Sequence, residues 1–207
     1  MKLKKNVKRV IILIFIIITI VVGAIIYFKY NDKEKVNEVK IVNEIKDYDY
    51  KLKENKPKKY KEMFEELKEI LSSKNVDEEA YVKKISEMFI YDFYSLNDKV
   101  AKTDVGGVDF VYKEIIDNFL LNAEDTYYKY VESNIYNNRK QSLPTVSEVT
   151  IESVEKETYA YKEQNDEVAY KVKVSWSYTD DNFSDYQKEA TLIFIHDKNK
   201  LSLVELQ

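Results

Sequence analysis

Nineteen consecutive residues without a charge, Val10 to Phe28, follow the start Met-Lys-Leu-Lys-Lys-Asn-Val-Lys-Arg, and nothing else in the chain restricts its architecture as much. At about 1.5 Å per residue such a helix is ~28 Å long, close to the ~30 Å hydrocarbon thickness of a bilayer. The run is almost entirely Ile, Val, Leu and Phe, so it has no polar face to present to water. Lys2, Lys4, Lys5, Lys8 and Arg9 precede it, and basic flanks stay on the cytoplasmic side. The expectation is a cytoplasmic tail over 1–9, a transmembrane helix over 10–28 and an extracytoplasmic remainder. A cleaved leader would end its apolar run in small residues, whereas Gly23-Ala24 is followed by Ile25-Ile26-Tyr27-Phe28.

The chain carries −4 overall and +5 before the apolar run, hence −9 after it. An acidic surface repels phosphates, which disfavours nucleic acid as a partner. The sequence has no Cys, so neither a disulfide nor a cysteine nucleophile is available. Its stability rests on core burial, for which 14% aromatic residues, including 18 Tyr, supply large side chains.

Residues 29–76 read as a helical stalk. Ile41, Ile45, Tyr48 and Leu52 follow one another at helical spacing, and Tyr60, Met63, Phe64, Leu67, Ile70 and Leu71 make an amphipathic helix after Pro57. Asp77 is placed to cap a second helix running to about Leu96. Gly106-Gly107 predicts a turn with backbone angles that side chains resist. Its acidic neighbours Asp104 and Asp109 exclude a phosphate-cradling loop. Further helical faces are expected over 108–119 and 127–135, with a break near Asn122-Ala123.

Beyond Pro144 the apolar period changes from 3.6 to 2. Val168, Tyr170, Val172, Val174, Trp176 and Tyr178 alternate with Lys and Ser, the signature of a strand with one wet face. A returning strand over 186–196 is apolar on both faces near its end and should be central. A short strand over 201–206 and an earlier, bulged one over 146–161 complete the set. The fold class is α+β: three to four helices packed on a curved antiparallel sheet of about four strands. In order, length and long strands, residues 77–207 resemble the nuclear-transport-factor-2-like (cystatin-like) fold, a cone of helices held in a bent sheet. A short basic tail, one span and an exported domain of this type are similar to the bitopic assembly proteins of conjugative transfer machines. That resemblance implies a scaffold of the bacterial cell envelope, binding other envelope proteins or itself.

Catalytic signals are sparse. His196 is the only histidine, so a multi-His metal site is absent, and no nucleophile elbow occurs. Asp180, Asp181 and Asp185 lack the glycine and terminal glutamate of a calcium loop. Asn182-Phe183-Ser184 matches an N-glycosylation acceptor, a short and frequent pattern. No catalytic, cofactor-binding or metal-binding residue is assigned. Within the resembled fold, ketosteroid-isomerase-like enzymes use a carboxylate and a tyrosine inside the cone, which makes Asp92 and Asp109, with Tyr91 and Tyr112, the candidates for an alternative role in binding or converting a small apolar ligand. Mass spectrometry of the mature protein should find the amino terminus upstream of Val10; a start near Ala24 or Tyr27 would replace the anchor with a cleaved leader.

Overall fold

The computed structural model describes residues 19–23, 39–161 and 164–207. The chain divides into two units, 1–40 and 41–207. In the first, residues 19–23 are helical, and most of the expected span over 10–28 lies outside the described residues. No helix among the described residues is long and apolar enough to cross a membrane.

The second unit begins with a β-hairpin, β1 (Ile41–Ile45) and β2 (Tyr50–Lys53), where a helical stalk is expected. The alternation Tyr50-Lys51-Leu52-Lys53 decides the matter, since Tyr50 and Leu52 are buried while both lysines face water. The helical spacing of Ile41, Ile45, Tyr48 and Leu52 is incidental. Asp49, at φ 51°, makes the left-handed step that closes the turn.

Pro57 precedes α1 (Lys58–Leu71), which buries Tyr60, Met63, Phe64, Leu67 and Leu71 along one stripe. This stripe joins the same core as the rest of the unit, so the folded body starts at Ile41 and not at residue 77. Helix α2 (Glu78–Tyr94) is capped as its sequence predicts, the Asp77 side chain accepting from the N–H groups of Glu79 and Ala80. From Met88 to Tyr94 every side chain of α2 is buried, which makes it the central helix, packed on α1 and on the sheet.

The region expected to be a third helix is instead two 3₁₀ turns, 108–110 and 113–115, leading into α3 (Ile116–Asp125). The intervening Val111-Tyr112 is drawn out of helical geometry by the sheet, the Tyr112 N–H donating to the Leu203 carbonyl at 2.8 Å. Helix α3 runs through Asn122-Ala123, and the expected helix over 127–135 is replaced by turns. There Tyr128, fully buried, spends its hydroxyl on tertiary bonds: it donates to the Phe93 carbonyl at 2.6 Å and accepts from the Gly106 N–H at 3.0 Å.

Four antiparallel strands follow in sequential order, β3 (Val146–Tyr161), β4 (Gln164–Tyr178), β5 (Glu189–Asp197) and β6 (Lys200–Leu206). Three register shifts interrupt the β3–β4 ladder, and bulges of this kind bend a long ribbon and increase its twist. The end of the ribbon reaches the far strands: Tyr159 bonds Glu205 at 2.9 Å, and Asp166 accepts from the His196 N–H at 2.7 Å. This curl accounts for β5 having no wet face in its middle. Ala190, Leu192 and Phe194 enter the main core, while Ile193 and Ile195 are buried on the opposite side.

Gly106 lies against the end of α2 so closely that an added Cβ would sit 2.1 Å from the Asp92 carbonyl oxygen. Gly107 supplies the positive φ, 74°, that the turn needs. Gly106→Ala should destabilise the unit by about 3 kcal/mol in urea titration, the upper range for forcing extra atoms into a packed site. An unchanged midpoint would show that the loop is free to move away.

Candidate functional site

Asp92 occupies the last full turn of α2, a position where a charge has no business unless it is compensated, since its residue exposure is only 5%. Compensation is complete. Lys56, from the loop after β2, donates to both carboxylate oxygens at 2.6 and 2.7 Å; Lys99 donates to Oδ1 at 2.9 Å; the Gly107 N–H donates to Oδ2 at 2.8 Å. Lys99 is itself buried and also pairs with Asp98 at 2.9 Å. The centre therefore holds two lysines against two aspartates, gathered from the β2–α1 loop, the end of α2 and the segment that leads to the glycine turn.

Burial favours the neutral form of Asp92, but the charges of Lys99 and Lys56, with the hydrogen bonds from Lys56 and Gly107, outweigh it and hold the carboxyl well below its usual range. Lys99 is pushed upward in turn, because Asp92 and Asp98 overcome its desolvation. A general base of the isomerase type needs the opposite, a carboxylate raised by an apolar pocket with room for a proton to arrive. The Asp92 oxygens are already engaged by three donors.

The other candidates are placed as follows. Tyr91, next in the chain, is buried, with the Lys59 ammonium 5.4 Å from its ring centre. Asp109 is near enough to Asp92 and Lys56 to feel both charges, and burial raises its carboxyl above the usual value. Tyr112 is not brought to either carboxylate: its ring packs edge-on against Tyr161 at 5.3 Å. Asp109 lines a surface cleft of about 490 Å³ formed by the β1–β2 turn, the 108–116 segment and the β5–β6 turn. At that cleft Lys200 donates to the Asp109 carbonyl at 2.7 Å and lies 4.4 Å from the centre of the Tyr50 ring.

Between α2 and the sheet the interior is occupied by rings. Tyr94 and Trp176 lie 4.3 Å apart, and Phe93 touches Phe89, Tyr128 and Tyr127 at 5.4, 5.5 and 5.9 Å. Lys56 and Lys99 were invisible to sequence reasoning, being two of many lysines in a chain rich in them. The only signal was indirect: a single acidic residue inside the apolar stretch Met88–Tyr94 demands a buried partner.

A second ring of polar contacts lies on the surface loop 130–141. Arg139 donates to the Lys99 carbonyl at 2.8 Å and to the Asn97 carbonyl at 2.7 Å, while Gln141 bonds the backbone of Tyr130 and Glu132. The loop is thus tied to the segment that carries Lys99, yet presents Tyr130, Ile135 and Tyr136 at 76%, 56% and 84% exposure.

No family model, curated protein or solved structure matches this chain.

Because the folded Asp92 carboxyl is depressed, its stabilisation is complete above the unfolded carboxyl value of about 4 and is lost as pH falls through and below it. Asp92→Asn should cost about 3 kcal/mol at neutral pH by leaving buried lysine charge uncompensated, and the variant's loss of stability between pH 5 and pH 2 should be shallower than that of the parent. Parallel acid limbs in the two proteins would assign the acid sensitivity to other carboxylates.

Proposed function

We propose that this protein is a non-enzymatic, membrane-anchored scaffold or assembly component, whose domain over 41–207 stands on the extracytoplasmic side and binds other cell-envelope proteins or itself. A conjugative transfer or secretion apparatus is the setting that the sequence resemblance implies. The observation that carries the reading is the firmly braced loop 130–141, which keeps Tyr130, Ile135 and Tyr136 in water, Tyr130 and Tyr136 being the most exposed large hydrophobic side chains of the unit. Two further features support it. The apolar run Val10–Phe28 behind a basic start supplies an address, and the ring-filled interior offers a small ligand little room, with the Asp92 oxygens already engaged by Lys56, Lys99 and the Gly107 N–H.

Replacement of Tyr136 by a photo-crosslinking phenylalanine analogue in intact cells should yield an adduct with an envelope protein or with a second copy of the chain. Tyr136→Ala should weaken that association by at least about tenfold. A strictly monomeric protein with no adduct at Tyr130 or Tyr136 would remove the proposal. The natural absence of cysteine makes the topology testable as well. A single Ser184→Cys variant, exposed in the turn after β4, should react with a membrane-impermeant maleimide on intact cells, and labelling only after lysis would place the domain on the other side.

A further inference from the structure

Among the described residues of the unit, the four most exposed large apolar side chains all fall within 121–136: Leu121 on α3, at 62%, and Tyr130, Ile135 and Tyr136 on the loop beyond it. Turns carry the chain from one to the other without a break. The Thr126 N–H bonds the Asn122 carbonyl at 3.0 Å, the Tyr128 N–H the Ala123 carbonyl at 2.9 Å, and the Val131 N–H the Tyr128 carbonyl at 2.9 Å. Charge is sorted along the same stretch. Asp117, Glu124 and Asp125 stand four before, three after and four after Leu121, hence on its face of the helix. The loop instead carries Lys129, Arg139 and Lys140 against Glu132 alone, a basic island on a chain that is acidic beyond its apolar run. Neither set is answered locally. Among the described residues Asp117, Glu124, Asp125, Lys129 and Lys140 enter no ion pair, and Arg139 spends its guanidinium on backbone carbonyls. Helix α3 has no basic residue in its last turn, so Glu124 and Asp125 sit at the negative end of its dipole uncompensated.

We infer that the exposed face of α3 and the loop 129–140 form a two-fold interface between two copies of this chain. The inference rests on the self-binding form of the function proposed above and states where that contact lies. An acidic half beside a basic half, with apolar side chains in both, is self-complementary: a half-turn lays each acidic half on the basic half of the other copy. A partner of one charge sign would answer only one half and repel the other. In the pair, Lys129 and Lys140 of each copy meet the carboxyl-terminal end of the other copy's α3, where cations also complement the helix dipole. Leu121 of each copy packs toward Tyr130 and Tyr136 of the other, and rings of this size dominate the energy of such contacts. The brace from Arg139 to the Asn97 and Lys99 carbonyls holds the basic half in place before the partner arrives, which lowers the ordering cost of association.

Full-length protein in detergent micelles, examined by sedimentation at micromolar concentration, should form a species of two copies that does not grow further and weakens as salt is added. Lys129→Glu combined with Lys140→Glu should weaken the dimer at least about tenfold, and so should Asp117→Lys combined with Asp125→Lys, because like charges then face each other. Mixed one to one, the two reversed proteins should pair with each other, and a chain carrying all four changes should dimerise by itself. Loss followed by rescue separates this surface from any association of the apolar run Val10–Phe28, and rescue also shows that the reversed variants are folded. A monomer, a dimer whose strength neither reversal changes, or assemblies growing beyond two copies would each overturn the inference. If Tyr136 is then crosslinked in cells to a different envelope protein, the scaffold reading stands without the two-fold contact; no adduct of any kind removes both.

Discussion

Asp92 is the residue on which the rest of the unit hangs. A carboxylate at the end of the most buried helix is tolerable only while Lys56, Lys99 and the Gly107 N–H surround it, and those partners come from three separate stretches of chain. Meeting its demand fixes where the hairpin hands over to α1, how the chain leaves α2, and where the glycine turn must pass. Gly106 is then required because the same helix end leaves no space for a side chain. The charge centre acts as a positional constraint on backbone segments that apolar contacts alone would leave free to slide.

Apolar packing supplies the bulk of the cohesion around that constraint. Helix α2 lies between α1 and the sheet, and the rings of Phe89, Phe93, Tyr94, Tyr127, Tyr128 and Trp176 fill the layer between them. The bulged β3–β4 ribbon performs the complementary task on the other side, since its curl buries Ile193 and Ile195 without a further helix. Strand β5 is thereby covered on both sides, while β4 keeps Lys173 and Ser177 in water.

How far the sequence discloses this architecture depends on the range of the forces involved. Helix α1, the Asp77 cap and the four late strands are governed by local periodicity and capping, and they are legible to within about four residues at each end. The apolar content of both faces of β5 likewise announced a central strand. The hairpin at 41–53 was hidden because four apolar residues happen to fit a helical spacing as well, and only burial of Tyr50 and Leu52 selects the period of two. The region 108–135 departs from its helical pattern for a different reason: Val111-Tyr112 pairs with β6 and Tyr128 bonds the end of α2, long-range contacts that override local periodicity. Asp92 stands out in the sequence as an acid within an apolar stretch, but its partners do not, since nothing local distinguishes a lysine destined for burial from its many exposed neighbours.

The loop 130–141, the charge centre and the hairpin also form one continuous mechanical line. Arg139 grips the carbonyls of Asn97 and Lys99, Lys99 grips Asp92, Asp92 grips Lys56, and Lys56 leads directly back through β2 and β1 to the amino-terminal end of the folded body. A load applied at Tyr136 and one applied at Ile41 would therefore meet at the Asp92 centre. Because Tyr50 and Leu52 of the hairpin belong to the hydrophobic core, the first strands of the unit cannot give way without drawing on the packing of the whole body.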